Sequence, residues 1–152
     1  MSHILFNDEE ASYLIAAHVG CYFTPGVDKA LARRDDEGKL LGGMLFTSYS
    51  GAGGSICIHM AGWTKQWANR DLIWACFHYA FEPLQCAKVF GQVMEHNLAA
   101  LEINRRLGFV VEHKVEGVYP QGAMIVLGMK KADCRWLKIR PSNEQYRSLA
   151  RG

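Results

Sequence analysis

The sequence has 152 residues, of which 49% are hydrophobic and 21% are charged. This length suits one domain and is short for two, and the composition excludes the disordered and fibrous classes. The net charge is +2, but from Lys130 onward seven basic residues stand against two acidic ones, a surplus of five that leaves the preceding chain at −3. The basic end is either a solvated tail or a surface for an anionic partner such as nucleic acid.

The lack of a recognisable secretory signal and the pattern of the cysteines both indicate a reducing compartment. The first ten residues lack the basic and apolar regions of a secretory signal, and no apolar run is long enough to span a bilayer. The five cysteines are odd in number, scattered and never arranged as Cys-x-x-Cys, which argues against a disulfide framework and a zinc site. We therefore expect a cytoplasmic protein with no metal and no membrane partner.

The first predicted element is a helix. Acidic residues 8–10 precede the helix-forming run 11–18, and Gly20 stands where a helix would end. Two strand-like runs within 29–49 then flank an acidic, turn-forming cluster at 35–38. This pattern predicts a hairpin.

A central strand and a long helix follow the hairpin. Residues 55–61 come after a glycine-rich loop and are apolar on both faces, as expected for a strand in the middle of a sheet. Residues 70–84 predict a helix whose aromatic side chains belong to the core.

The remaining elements alternate in type. Residues 87–94 predict a strand, 98–107 a helix closed by Gly108, and 109–118 and 123–129 two further strands. The whole order predicts an α/β fold with one mixed central sheet, helices on both faces and at least one parallel crossover. Such a sheet places a ligand site beyond the carboxyl ends of neighbouring strands.

Two adjacent segments resemble a known superfamily. Segment 97–109 reads Asn-Leu-Ala-Ala-Leu-Glu-Ile-Asn-Arg-Arg-Leu-Gly-Phe and is similar to the late helix of GNAT superfamily N-acetyltransferases. Segment 79–89 resembles the end of the CoA helix and the next strand in the branch containing ribosomal-protein N-terminal acetyltransferases. The resemblance implies a GNAT-like domain, here residues 1–133 with a basic extension at 134–152. It also implies acetyl transfer from acetyl-CoA to a primary amine of unspecified class, and it allows a homodimer.

The resemblance places a phosphate-binding loop between the third strand and the long helix. Free N–H groups at a helix start attract anions, but Ala68 and Arg70 stand where the family has glycines. The Cβ of Arg70 holds the backbone further from a phosphate, while its guanidinium can replace amide contacts by a charge-assisted hydrogen bond.

Asn97 can cap its helix or bond a pantetheine amide, and the sequence leaves both open. The residues assigned to acetyl-CoA are Met60, Ala61, Trp67, Ala68, Asn69, Arg70, Asp71, Asn97 and Arg105.

Amine acetylation requires a base, a stabilised oxyanion and often an acid. His59 is the candidate base because imidazole titrates near neutrality, although a structural role for this histidine stays open. Asn104 stands where the family has a tyrosine acid, so the acid is Tyr119, water or no group, with Asn104 available to hydrogen-bond a thiolate. A ping-pong reaction through Cys57 is disfavoured because interior strand cysteines are generally unreactive.

Two functions outside catalysis stay open. The altered loop and the missing tyrosine would suit a CoA-binding module that kept the fold without the chemistry, and the basic extension would suit nucleic-acid binding. Trp136 and Tyr146 are the extension's only aromatic residues, which makes a poor stacking platform for bases.

Overall fold

The structure is a computed structural model that describes residues 2–139 and 141–142. Within these residues the chain forms seven strands, three α-helices and two 3-10 helices. In chain order they are β1 Ser2–Phe6, α1 Glu9–Val19, β2 Lys29–Asp35, β3 Leu40–Thr47, β4 Ser55–Gly62, α2 Arg70–Phe81, β5 Lys88–Met94, α3 Leu98–Leu107, β6 Val110–Tyr119, β7 Gly122–Lys130, and the 3-10 helices Lys131–Asp133 and Arg135–Lys138.

The strands form one sheet in the order β1-β2-β3-β4-β5-β7-β6. The β4–β5 pair is parallel, and the other neighbouring pairs are antiparallel. Helix α1 packs on one face over a small alanine-rich core, whereas α2 and α3 cover the opposite face over a larger core. The predicted α/β fold, with a mixed central sheet and helices on both faces, is confirmed.

The boundaries of α3 follow from local chemistry. The side-chain oxygen of Asn97 accepts a hydrogen bond from the Ala100 N–H at 3.2 Å, which satisfies one of the free donors at the helix start. Gly108 ends the helix in the left-handed conformation, with φ of 110°, which glycine adopts without steric cost. The predicted span of this helix is confirmed.

The aromatic side chains of α2 are core residues, as predicted, and Phe77 and Phe81 belong to the larger core. Trp74, Phe77 and Phe81 are each 1% exposed or less. Phe77 also packs against Phe109, with ring centroids 6.1 Å apart. This packing fixes the position of α2, and with it the helix start that faces the candidate site.

Two elements differ from the sequence prediction. The local sequence pattern does not indicate strand β1, because this strand depends on pairing with β2 and on the contact of Phe6 with Tyr79 of α2 at 4.6 Å. Helix α2 ends at Phe81 rather than at residue 84. Pro83 has no N–H to continue the helix, and the Leu84 N–H bonds the Tyr79 carbonyl instead.

The start of the C-terminal extension packs on the domain. Cys134 is 3% exposed, and the indole N–H of Trp136 donates to the Leu107 carbonyl at 2.7 Å. Arg140 and residues 143–152, which carry part of the basic charge for which the sequence left a solvated tail and an anionic partner open, lie outside the described residues. No helix in the described part of the chain is long and apolar enough to cross a membrane.

Candidate active site

Strands β4 and β5 separate along their length. Their pairing ends at Cys57 and Phe90, whereas β4 stays paired with β3 as far as Gly62 and β5 with β7 as far as Met94. The carboxyl halves of the two parallel strands therefore open a wedge in the middle of the sheet. A mixed sheet of this kind is expected to hold its ligand at such a position.

The wedge contains a cleft of about 420 Å³. Six of the residues proposed from the sequence line it, namely His59, Met60, Trp67, Asn97, Asn104 and Tyr119. Sequence reasoning did not find the contributions of His18 and Val19 from α1, of Gln92 and Met94 from β5, or of Ile103 from α3. Only the predicted convergence of strand ends could have indicated the β5 residues.

The cleft is lined from both faces of the sheet. Side chains alternate along a strand, so Ile58 and Met60 face the larger core under α2 and α3. His59 lies on the opposite face, where its ring meets Cys21 just beyond α1. Residues from the α2–α3 side and from the α1 side therefore both line the cleft at the wedge.

Backbone groups of β4 also point into the wedge. The Trp63 N–H donates to the Leu41 carbonyl beside β3, and backbone direction alternates from residue to residue. The N–H of Met60 consequently faces β5, where the ladder has ended. The Ile58 carbonyl points the same way, since it would lie 3.7 Å from a Cβ built on Gly91.

His59 is held by polar neighbours on both ring nitrogens. Its Nε2 lies 3.0 Å from the Thr47 hydroxyl oxygen and 3.5 Å from the Cys57 Sγ, and its Nδ1 lies 3.9 Å from the Cys21 Sγ. Burial lowers the pKa of His59, opposed by the nearby charge of Asp28. The imidazole is therefore neutral at pH 7, the form that can accept a proton.

Cys57 is not prepared to act as a nucleophile. Its side chain is buried, and burial raises the pKa of its thiol to about 12. Because the thiolate is the reactive form, this geometry supports direct transfer over a ping-pong reaction.

Asn104 presents an acceptor to the cleft. Its Nδ2 donates to the Ala100 carbonyl at 2.8 Å, which leaves Oδ1 on the side of Gly91, 3.7 Å from a Cβ built there. An oxygen can accept from a ligand N–H but cannot donate to a thiolate. Tyr119, at the end of β6, lines the cleft with a phenol that suits the role of acid.

The start of α2 differs from a simple anion site, because it has a capping side chain, a carboxylate and an exposed guanidinium. The Asn69 side chain already accepts from the Leu72 N–H at 2.9 Å. The Asp71 carboxylate, 7% exposed, accepts from the N–H of Ser142 at 2.7 Å and from its hydroxyl at 2.5 Å. The Arg70 side chain is exposed and has no ion pair with any residue that the structure describes.

The loop before α2 is anchored by Trp67 and Arg33. The indole of Trp67 lies on the backbone of Gly62, where an added Cβ would lie 2.6 Å from Nε1. Arg33 Nη1 donates to the carbonyls of Gln66 at 2.6 Å and of Trp67 at 2.9 Å. With its carbonyls turned toward Arg33, the loop is held in one conformation beside the cleft.

The other proposed cofactor residues do not line the cleft. Ala61 is buried in the core under α1, and Arg105 pairs with Glu102 on the same helix at 2.7 Å. Ala68, Asn69, Arg70 and Asp71 lie at the loop end and the α2 start, outside the wedge itself. Any contact they make with a ligand is with a part of it that extends beyond the wedge.

The fold matches solved structures although the sequence is distant from them. Mutant forms of the spermidine/spermine N-acetyltransferase SpeG from Vibrio cholerae match with a TM-score of 0.72 and 12% identity, over 91% of this chain and 98% of that one. The spermidine N-acetyltransferase from Vibrio cholerae in complex with CoA and spermine matches with a TM-score of 0.70 and 13% identity, over 87% and 96%. The chain has the GNAT fold. No protein-family model matches the sequence, and no curated protein does.

A third matching structure concerns metals. It is SpeG from Vibrio cholerae in complex with manganese ions, with a TM-score of 0.71 and 13% identity over 86% of this chain and 93% of that one. In this protein, the described residues contain no group of three or more His, Cys, Asp or Glu side chains that could hold a metal ion.

Proposed function

We propose that this protein is an N-acyltransferase that transfers the acetyl group of acetyl-CoA to a primary amine by direct attack. The observation that carries the proposal is the wedge between β4 and β5, which is lined by residues from both faces of the sheet. An extended thioester chain entering from the α2–α3 side would meet an amine arriving from the α1 side beside His59. The GNAT fold, shared with a solved N-acetyltransferase in complex with CoA and spermine, supports the same chemistry.

The cleft residues supply the groups that the reaction needs. The amine nitrogen bonds to the acetyl carbon, the carbon–sulfur bond breaks, and the amine proton passes to neutral His59, directly or through water. The Met60 N–H, which points to where the β5 ladder has ended, is suited to bind the developing oxyanion. The leaving sulfur takes a proton from Tyr119 or from water.

The phosphates of acetyl-CoA would be held at the start of α2. The exposed Arg70 guanidinium can bond a phosphate, and the helix dipole favours the anion. The Asp71 carboxylate on the same turn opposes it, although two hydrogen bonds from Ser142 engage that carboxylate. The observation that favours the second candidate, a CoA-binding module that kept the fold and lost the chemistry, is Asn104, whose oxygen faces the cleft where the resemblance implies an acid.

Two measurements test the proposal together. Thiol release from acetyl-CoA across a panel of peptides, polyamines, aromatic amines and nucleic acids tests turnover. Melting with CoA tests binding, because a ligand at about 100 times its Kd stabilises a fold by roughly 2.7 kcal/mol. Binding without thiol release would favour the silent module, and the absence of both responses would refute the acyltransferase.

Arg70→Ala examines the phosphate contact directly. We expect CoA affinity to fall by about 1.5–3 kcal/mol, the size of hydrogen bonds to charged groups. Arg106→Ala is the matched control, since Arg106 pairs with Glu102 on α3 at 2.9 Å and lies outside the cleft. Dephospho-CoA retains the diphosphate, so an equal penalty with both ligands would locate the contact there.

The finer assignments stay proposals with their own tests. The resemblance of segment 79–89 to the ribosomal-protein branch keeps protein N-termini among the candidate acceptors, and peptides in the panel examine them. Sedimentation would detect a homodimer, and a steep salt dependence of binding would identify a nucleic-acid partner.

A further inference from the structure

The α1 side of the cleft is uncharged and partly aromatic. We name the residues that line it on that side, His18, Val19, His59, Gln92 and Met94, the acceptor chamber. Among the described residues that line the whole cleft, none is Asp, Glu, Lys or Arg. An amine that enters this chamber therefore meets amide, imidazole and apolar groups rather than a carboxylate.

Two carboxylates near the acceptor chamber are already engaged. Asp28 is 8% exposed, and its Oδ2 accepts from the Thr24 N–H at 2.9 Å. Glu95, which follows Met94 in the chain, accepts from the Ala123 N–H and pairs with Lys114 at 3.0 Å. Both are poorly placed to neutralise a second or third positive charge on a substrate.

Exposed aromatic side chains lie next to residues of the acceptor chamber. The ring of His18 lies 4.6 Å from that of Trp63, and Trp63 is 40% exposed. On the loop that places Cys21 against His59, Tyr22 is 94% exposed. Exposed rings beside an uncharged cleft suit stacking with a flat apolar group.

We propose that the acceptor is an aromatic monoamine whose ring stacks on Trp63 and His18 while its amine reaches His59. The inference rests on the proposed acyltransferase function and adds the substrate class. A polyamine would bring into the acceptor chamber further cations for which the lining residues offer no carboxylate, whereas an aromatic ring gains stacking contacts there. A monoamine loses its only charge when its nitrogen becomes the nucleophile.

A comparison of kcat/KM among amines tests the substrate class. We expect kcat/KM for 2-phenylethylamine and tryptamine to exceed that for spermidine and putrescine at least tenfold. A preference for spermidine or putrescine would overturn the inference, as would a larger kcat/KM for a peptide with an amino-terminal Phe. Calorimetric titration of the same amines is independent of turnover. If no thiol is released and CoA does not bind, the acyltransferase function fails, and the amine titration still decides whether the acceptor chamber prefers aromatic monoamines.

Substitutions at two positions localise the selectivity. Trp63→Ala should raise KM for 2-phenylethylamine about tenfold while leaving KM for acetyl-CoA unchanged, and Trp63→Phe should restore most of the loss. Tyr13→Ala is the control, because Tyr13 is also an exposed aromatic residue on the α1 face but contacts Phe23 instead.

Gln92→Glu adds a carboxylate at an exposed position. It should shift the ratio of kcat/KM for putrescine to that for 2-phenylethylamine about tenfold toward putrescine. An unchanged kcat/KM ratio in Gln92→Glu, or an unchanged KM for 2-phenylethylamine in Trp63→Ala, would contradict the proposed position of the substrate.

Discussion

The indole of Trp67 rests directly on the backbone of Gly62, at the point where β4 passes into the loop before α2. A side chain at Gly62 would occupy the space of the ring. The contact therefore links the last residue of β4 to the loop that precedes the α2 start.

Gly62→Ala should destabilise the protein by about 1–3 kcal/mol, the usual cost of overpacking a buried site. Displacing Trp67 should also reduce the melting shift produced by CoA. Gly91→Ala is a matched control for stability, because a Cβ there would make ordinary contacts at 3.7 Å and should change the free energy of unfolding by less than about 0.5 kcal/mol. Equal effects of the two substitutions in chemical denaturation would argue against the Trp67 contact.

His59→Gln should lower turnover by roughly 10² while CoA binding stays near wild type, because a general base contributes about that much. Since burial lowers the pKa of His59, the wild-type enzyme should keep more than half of its His59-dependent activity at about pH 6.5, the ordinary pKa of histidine. His78→Gln is the control, because His78 stacks on Trp74 at 4.5 Å outside the cleft and should leave turnover unchanged. Unaltered turnover in His59→Gln would assign this histidine a structural role.

Stability should fall as the pH drops below about 6.5, the ordinary pKa of histidine. Burial lowers the pKa values of both His59 and His78 in the folded protein, so in this range the unfolded chain binds more protons than the folded one. The loss begins at the unfolded pKa and is complete once the pH is below the folded values. Melting temperatures measured from neutral to mildly acidic pH should show this slope, and the double variant His59→Gln with His78→Gln should flatten it.

Ser142→Ala should destabilise the protein by about 1 kcal/mol, since the hydroxyl that bonds the Asp71 carboxylate is lost while the backbone N–H bond remains. Deletion from Pro141 onward removes both donors and should cost more. A double-mutant cycle with Asp71→Ala isolates the interaction, because the effect of Ser142→Ala should vanish once the carboxylate is gone. Strictly additive effects would mean that the pair contributes nothing to stability.

Local chemistry along the chain determines the elements that the sequence predicts correctly. The span of α3 follows from Asn97 and Gly108, whose capping depends on residues within one turn. The spacing of the aromatic side chains of α2 is enough to assign them to the core. Strand β1 escapes such reasoning because its partners are distant in sequence, and the predicted α2 is too long because helical periodicity takes no account of Pro83.

In the candidate site too, some features can be predicted from the sequence and others depend on the tertiary structure. The residue types of His59, Asn97 and Asn104, and their resemblance to a family pattern, indicate a chemistry from the sequence by itself. Only the tertiary structure decides that β4 and β5 separate beyond Cys57, because strand separation depends on what each strand pairs with on its other side.

Three further relationships belong to the tertiary structure as well. Asn104 faces the cleft with its oxygen, His59 has Thr47 and Cys21 as neighbours, and Ser142 reaches Asp71. The last two join residues far apart in the chain, and the first depends on which strand lies opposite α3. Local sequence patterns encode contacts within a turn or a strand, so contacts of this kind are fixed only when the whole sheet assembles.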